Sequence, residues 1–281
     1  MNLPAQGQID DRNAFRFGAN WRHFLSNISE DRIAHSARAL QQALDTANLA
    51  GKTFLDAGSG SGLSSLAALR LQASVVSFDY DPESVACAEL LKQSFAPGDT
   101  RWTITQGSVL DRDYLRTLGQ FDVVYSWGVL HHTGAMWQAL ENLLPQVAPD
   151  GALFIAIYND QGWISRYWSV VKRTYVRHPF SRWPWLIFHF PYLYALRASV
   201  RIVARRGVLE RGMSLWHDMV DWVGGFPFEV ASPEDVFQFL RARGFDLIHL
   251  KTCGDRHGCN EFVFRKRLDA IRAKSIPVTA G

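Results

Sequence analysis

From Ser29 onward, Ile33, Ala37, Leu40 and Leu44 recur at helical spacing, with Ser29 placed to cap the helix and Glu30 and Asp31 well set against its dipole. The period then changes. TFLDAG (53–58) is a short apolar run ending in glycine, which predicts a buried strand; LSSLAALRL (63–71) predicts a helix and SVVSFDY (74–80) a second strand. Asp81-Pro82 opens a helix that carries Val85, Ala88, Leu91 and Phe95 on one face. WTITQ (102–106) alternates as a strand, FDVVYSW (121–127) reads as a buried one, and Trp137, Leu140, Leu144 and Val147 mark a helix before a fifth strand at ALFIAIY (152–158).

Strands alternating with helices at this spacing predict an α/β, doubly wound, Rossmann-like sheet, because each crossover must travel back before the next parallel strand begins. The alternation breaks after the fifth strand. It resumes with a capped helix at SPEDVFQFLRARG and strands at FDLIHLKT and NEFVFRK. The last two strands stand too close in sequence for a crossover helix, so they should pair antiparallel, giving a mostly parallel seven-stranded sheet with one reversed strand. The expected organisation is therefore residues 1–159 as N-terminal helices and cofactor-binding part, 160–230 as a helical, aromatic-rich insertion, 231–267 completing the sheet, and 268–281 as a tail.

Composition alters this picture little. Hydrophobic residues at 47% and charged residues at 20% are ordinary globular values. The N-terminus MNLPAQGQIDDRNAF has no secretory pattern and no window has the length of a membrane span, so a cytoplasmic protein is expected. Cys87, Cys253 and Cys259 are too few and too scattered for a disulfide framework. The net charge of +3 implies no overall polyanion partner, yet residues 160–212 hold ten Arg or Lys against Asp160 and Glu210, a local charge of about +8.

The chemistry begins at Asp56-Ala57-Gly58-Ser59-Gly60-Ser61-Gly62, where the first strand turns into a helix and three glycines let a ligand approach the backbone. Asp79 ends the second strand, where a carboxylate can accept hydrogen bonds from both hydroxyls of a ribose. A nucleoside ligand is the expectation. The spacing G-x-G-x-x-G fails at Leu63 and G-x-x-x-x-G-K-[ST] is absent, so neither the dinucleotide nor the nucleoside-triphosphate pattern fits.

FLDAGSGSG, SFDYDP, QGSVLD and FDVVYSWGVLHHTG, in this order and spacing, resemble the successive motifs of class I S-adenosylmethionine-dependent methyltransferases over residues 17–159. The double histidine is similar to the branch that holds the ubiquinone-biosynthesis O-methyltransferases and many natural-product and sugar methyltransferases. The resemblance implies S-adenosyl-L-methionine as cofactor, with Asp56, Gly58 and Gly60 along its methionine part and Asp79 on the ribose. It further implies Tyr80 flanking the adenine, Ser108 and Val109 at the adenine's polar edge, and Trp127 closing the pocket near the methionine. Ser108 stands where many relatives carry Asp. The lead-in FRFGANW also resembles relatives and adds Asn20 and Trp21 as cofactor contacts.

Methyl transfer from a sulfonium needs alignment and exclusion of water, and a hydroxyl acceptor also needs somewhere for its proton to go. His131 and His132 follow the fourth strand at the carboxyl edge of the sheet, so one of them is expected to be the base, with substrate orientation as the competing role. His217 and Asp221, four apart in LWHDMVDWVGG, permit a second carboxylate-oriented histidine base or two metal ligands, with an N-cap or surface pair as the plainer reading. Cys253, His257 and Cys259 lack the close cysteine pairs of common zinc sites, and no metal is expected.

The insertion is dense in aromatic residues, and WPWLIFHFPYLYAL (183–196) is apolar yet shorter than a span and broken by Pro184, His189 and Pro191. A lid over the active site and an element lying at the surface of the inner membrane face both fit, and both imply a substrate with apolar surface. RNA stacking is a third reading without a recognisable RNA module. The function expected is O-methylation of a small aryl, lipid-linked or sugar molecule, against a tRNA methyltransferase or a non-catalytic cofactor-binding regulator.

Overall fold

The computed structural model describes residues 28–204, 220, 222–254 and 258–268. In chain order it contains α1 (Glu30–Leu44), β1 (Thr53–Ala57), α2 (Leu63–Arg70), β2 (Ser74–Asp79), α3 (Pro82–Phe95), β3 (Trp102–Gln106) and α4 (Arg112–Leu118). There follow β4 (Phe121–Trp127), α5 (Met136–Leu143), β5 (Val147–Tyr158), α6 (Trp163–Arg177), α7 (Arg182–Ala204), α8 (Pro233–Arg241), β6 (Phe245–Lys251) and β7 (Cys259–Lys266). One sheet takes all seven strands in the order β3-β2-β1-β4-β5-β7-β6. Every pairing is parallel except those of β7, which runs antiparallel to both β5 and β6. The reversed strand thus lies one place in from the edge, as the short β6–β7 connection requires.

Side-chain alternation along the strands builds two cores, one on each face. Leu55, Val124, Leu153, Ile155, Phe262 and Phe264 face a cluster that includes Leu115, Leu140 and Leu240 from α4, α5 and α8. Phe54, Val123, Tyr125, Phe154 and Val263 point the other way, to Ile33, Leu40, Leu66 and Leu91 from α1, α2 and α3. Helices therefore cover both faces, and the central strands are buried throughout.

Local chemistry explains most of the element ends. Asp81 caps α3 by accepting from the Glu83 N–H, and Ser232 forms a reciprocal capping box with Asp235 at the start of α8. Ser29 stands at the first cap position of α1, but its carbonyl rather than its side chain takes the helix N–H groups of Arg32 and Ile33. Two readings need correction. Leu144 and Val147 do not continue the preceding helix, because Pro145 cannot extend the α-helical hydrogen-bond ladder; a 3₁₀ turn intervenes and Val147 opens β5. The short helix α4, capped by Asp111 accepting from Asp113 and Tyr114, was not expected from the periodicity, which its seven residues are too few to display.

The insertion leaves the sheet after β5 and is tied at its base. The Ala231 N–H donates to the Tyr158 carbonyl at 3.0 Å and the Asp160 N–H to the Ala231 carbonyl at 3.2 Å. Between these points α6 and α7 share a third, smaller core of Trp168, Val171, Tyr175, Leu186 and Val223. Pro191 lies inside α7. His189, which interrupts the apolar run, turns inward: its Nδ1 donates to the Trp185 carbonyl at 2.7 Å and its Nε2 meets the Tyr167 hydroxyl at 2.7 Å. No helix among the described residues is long and apolar enough to cross a membrane.

Candidate active site

The turn after β1 needs its glycines. Gly58, Gly60 and Gly62 all have positive φ, at 83°, 53° and 81°, a conformation that L side chains rarely adopt. At Gly58 the constraint is doubled, since a Cβ would come within 2.4 Å of Val129 Cγ1. The chain here bends back over β2: the N–H groups of Gly58 and Ser59 both donate to the Phe78 carbonyl, at 2.8 and 3.0 Å. Ser59 Oγ, in the middle of the turn, is buried and has no hydrogen-bond partner among the described residues.

Asp79 anchors the next turn. Its Oδ2 accepts the Gly60 N–H at 2.8 Å and its Oδ1 the Asp81 N–H at 2.9 Å, so the carboxylate is oriented from both sides and each oxygen keeps a further lone pair. Burial raises its pKa above the ordinary carboxylate value, while the bonds from Asp81 and Gly60 work in the other direction. Tyr80, next in the chain, is 58% exposed. Asp56 differs: it is fully buried, accepts the Ser65 hydroxyl at 2.6 Å, and burial pushes its carboxyl up to about 7. It ties β1 to α2 beneath the glycines.

Ser108 and Val109 follow β3. The Ser108 hydroxyl accepts the Leu110 N–H at 3.1 Å, and Val109 is buried in the core with its carbonyl taken by Asn142 at 3.0 Å. Gly107 beside them is constrained by space alone, because a Cβ there would strike the Tyr114 ring at 2.2 Å. Trp127 ends β4 half-buried, paired in register with Ala156. These residues line one end of the sheet, the carboxyl ends of β1 to β4.

The histidines stand at the same edge, one turn further along. His131 is fully buried, stacked on Tyr158 with ring centroids 3.9 Å apart, and its Nδ1 accepts the Tyr158 N–H at 3.3 Å. A neutral ring in this position carries its proton on Nε2. His132 is the reverse. Its Nδ1 lies 2.7 Å from the Pro227 carbonyl, which can only accept, so the proton is on Nδ1 and the lone pair on Nε2. Burial lowers its pKa to about 3, with the nearby Lys172 adding to the effect. The ring is therefore neutral at any physiological pH.

Three neighbours escaped sequence reasoning. Lys172 of α6 is fully buried, donates to the Trp222 carbonyl, and lies over the rings of Trp222 and Phe228 at 4.5 and 4.8 Å. Tyr158 packs against both of those rings as well as against the histidines. Glu229 donates its N–H to the His131 carbonyl, while its carboxylate accepts the Met136 N–H at 3.0 Å and caps α5, whose own Ala135 has no side chain for the task. Burial pushes that carboxyl up to about 7. Glu229 has no local motif; its partner at Met136 is 93 residues distant.

Asn20, Trp21, His217 and Asp221 lie outside the described residues, as does His257. Among the described residues no three metal-ligating side chains gather.

A parallel sheet completed by a reversed seventh strand, with a glycine turn after β1 and an acid closing β2, defines the class I methyltransferase fold. A family model described as a methyltransferase domain matches residues 28–208, well over half of the chain. The chain belongs to that family, and the protein is an S-adenosylmethionine-dependent methyltransferase. Among solved structures it is similar to magnesium protoporphyrin IX methyltransferase from Synechocystis PCC 6803 with bound S-adenosylhomocysteine, at a TM-score of 0.55 and 13% identity over 88% of this chain and 93% of that one. The same enzyme with bound S-adenosylmethionine gives a TM-score of 0.52 at 13% identity, over 92% and 86% of the two chains. An O-methyltransferase family protein from Burkholderia thailandensis gives 0.50 at 14% identity, over 88% and 63%. No curated protein matches the sequence.

Proposed function

We propose that this methyltransferase acts on a hydroxyl of a small, partly apolar molecule, of aryl, lipid-linked or sugar type. One observation carries the reading: Val129, packed where a Cβ of Gly58 would be, joins the cofactor turn to the segment bearing His131 and His132. Cofactor and histidines are then neighbours at one sheet edge.

The residues of the turn fit the cofactor. Gly58 and Gly60 would leave room for the methionine moiety and the Ser59 hydroxyl would supply it a polar contact; Asp56, held by Ser65, would support the turn rather than line the pocket. Asp79 would hold the ribose through its remaining lone pairs, Tyr80 would cover the adenine, Ser108 and Val109 would border it, and Trp127 would close the methionine end. When bound, S-adenosylmethionine supplies an electrophilic methyl group on a sulfonium.

His132 receives the acceptor hydroxyl. Its Nδ1–H is fixed on the Pro227 carbonyl, so Nε2 presents a lone pair of set direction to the acceptor's O–H, which turns an oxygen lone pair toward the methyl group. The proton that the acceptor oxygen must lose on methylation would pass to this Nε2. A base of low pKa is adequate for a transfer that accompanies methylation. His131 and Tyr158 form the wall that holds the His132 ring, and the α6–α7 insertion roofs the site and excludes water.

The test is purified full-length protein with methyl-labelled cofactor, incubated separately with tRNA and with metabolite extracts. Label should enter small molecules, and His132→Ala should lower turnover at least about tenfold while cofactor affinity is retained. Label confined to RNA would overturn the substrate class, and undiminished turnover in the variant would remove the role of His132.

A further inference from the structure

We infer that the outer face of the α6–α7 insertion docks on the surface of a membrane containing anionic lipid. This goes beyond the reading of the reaction and holds or fails without it.

The first observation is geometric. Along α7, Trp183, Ile187, Phe190 and Tyr194 recur at spacings of four, three and four and so share one stripe, with exposures of 65%, 68%, 39% and 48%. Phe188 beside the stripe is 71% exposed. The opposite face of the same helix is already committed, since Leu186 and His189 are buried against α6. The helix thus carries large apolar side chains on both sides, one set buried in the small core and the other exposed. Scattered exposed hydrophobics are normal on a soluble surface, but a row of large aromatic and aliphatic side chains along one helix is not.

The second observation is charge. On α6, exposed Trp163 and Val170 are interleaved with exposed Arg166 and Arg173. Across residues 160–212 the balance is about +8, while the whole chain carries only +3, which leaves about −5 for the remainder. Arg166, Arg173 and Arg177 of this basic segment are exposed along α6. A negative bilayer surface would therefore attract this face and repel the rest of the molecule, orienting the protein with its insertion down. Since no described helix has the length and apolarity to cross, the insertion lies in the interface with its aromatics at headgroup depth and its arginines on phosphates.

Two other occupants are disfavoured by the same features. A second copy of the chain would set one basic face against another. Nucleic acid would use the arginines and rings for stacking, but Val170, Ile187 and the prolines at 184 and 191 offer it nothing.

The experiment is flotation of the full chain on phosphatidylcholine vesicles with and without phosphatidylglycerol, at low and high salt. Binding is expected on the phosphatidylglycerol vesicles at low salt, and at least about tenfold less on phosphatidylcholine alone or at high salt. Combined replacement of Trp183, Ile187 and Phe188 by serine should abolish flotation with cofactor affinity unchanged, because all three are more than half exposed and lie outside the buried small core, Phe188 meeting His189 edge-on. Arg166→Gln with Arg173→Gln should weaken binding and flatten its salt dependence, an independent check if the triple variant misfolds. Absence of flotation by the folded wild type overturns the inference. So does flotation that both variants leave intact, retention of RNA in preference to vesicles, or a self-associated species that the serine variant dissolves without any vesicle binding.

Discussion

At the scale of single residues, the site rests on side chains with two duties. Asp79 accepts backbone N–H groups from Gly60 and Asp81 and still has lone pairs for ribose hydroxyls. Asp79→Ala removes charge-assisted bonds of about 1.5–3 kcal/mol each, so cofactor affinity measured by calorimetry should fall at least about tenfold; an unchanged Kd would take the ribose away from this residue. Gly58 combines positive φ with contact against Val129. Gly58→Ala should destabilise the fold by about 1–3 kcal/mol in urea unfolding. Adding Val129→Ala should recover only part of that loss, because it relieves the collision and not the backbone strain. Full recovery would show that the conformation costs nothing. Asp79 and the glycines were legible in the sequence because their chemistry is local to a strand end. Glu229 and Lys172 were not, since the atoms that explain them lie 93 and 50 residues away.

At the scale of elements, the insertion has its own small core, separate from the two that cover the sheet. Trp168 sits at its centre, buried against Trp222 and His189. Trp168→Ala should therefore cost about 3–5 kcal/mol, expressed locally. Hydrogen exchange over residues 163–177 should quicken and turnover drop, while exchange in β1–β5 and cofactor affinity stay near wild type. Equal loss of protection in the sheet would mean that the insertion and the sheet unfold together. The reading of elements from sequence succeeded where caps and periodicity agree, as at Asp81-Pro82 and in the Ser232–Asp235 box. It failed at α4, too short to show a period, and at Val147, where an apolar residue in helical phase falls beyond a proline.

At the scale of the whole molecule, two partly buried groups give stability opposite dependences on pH. His132 stays neutral down to about 3 in the folded chain but would be protonated below 6.5 in the unfolded one. Its contribution is complete above 6.5 and declines as the pH falls toward 3. Glu229 keeps its proton up to about 7 when folded and loses it near 4.5 when unfolded, so its contribution is complete below 4.5 and declines as the pH rises to about 7. In urea titrations the stability of wild type relative to His132→Gln should fall by about 1 kcal/mol on moving from about pH 8 to about pH 5. Relative to Glu229→Gln it should fall by a similar amount in the reverse direction. If either difference keeps its value across that range, the group in question is not shifted by burial.

The strand alternation, the short gap before the last strand, the glycine turn and the acid at the end of β2 are all written in residues close together, and for that reason the order and direction of the elements and the class of cofactor could be read without coordinates. Which histidine nitrogen bears the proton, which carboxyl is held near neutrality, and which side of an apolar helix is buried in a core are decided by partners far away in the chain. Burial and hydrogen bonding depend on what folding brings into contact, and only the tertiary structure supplies that.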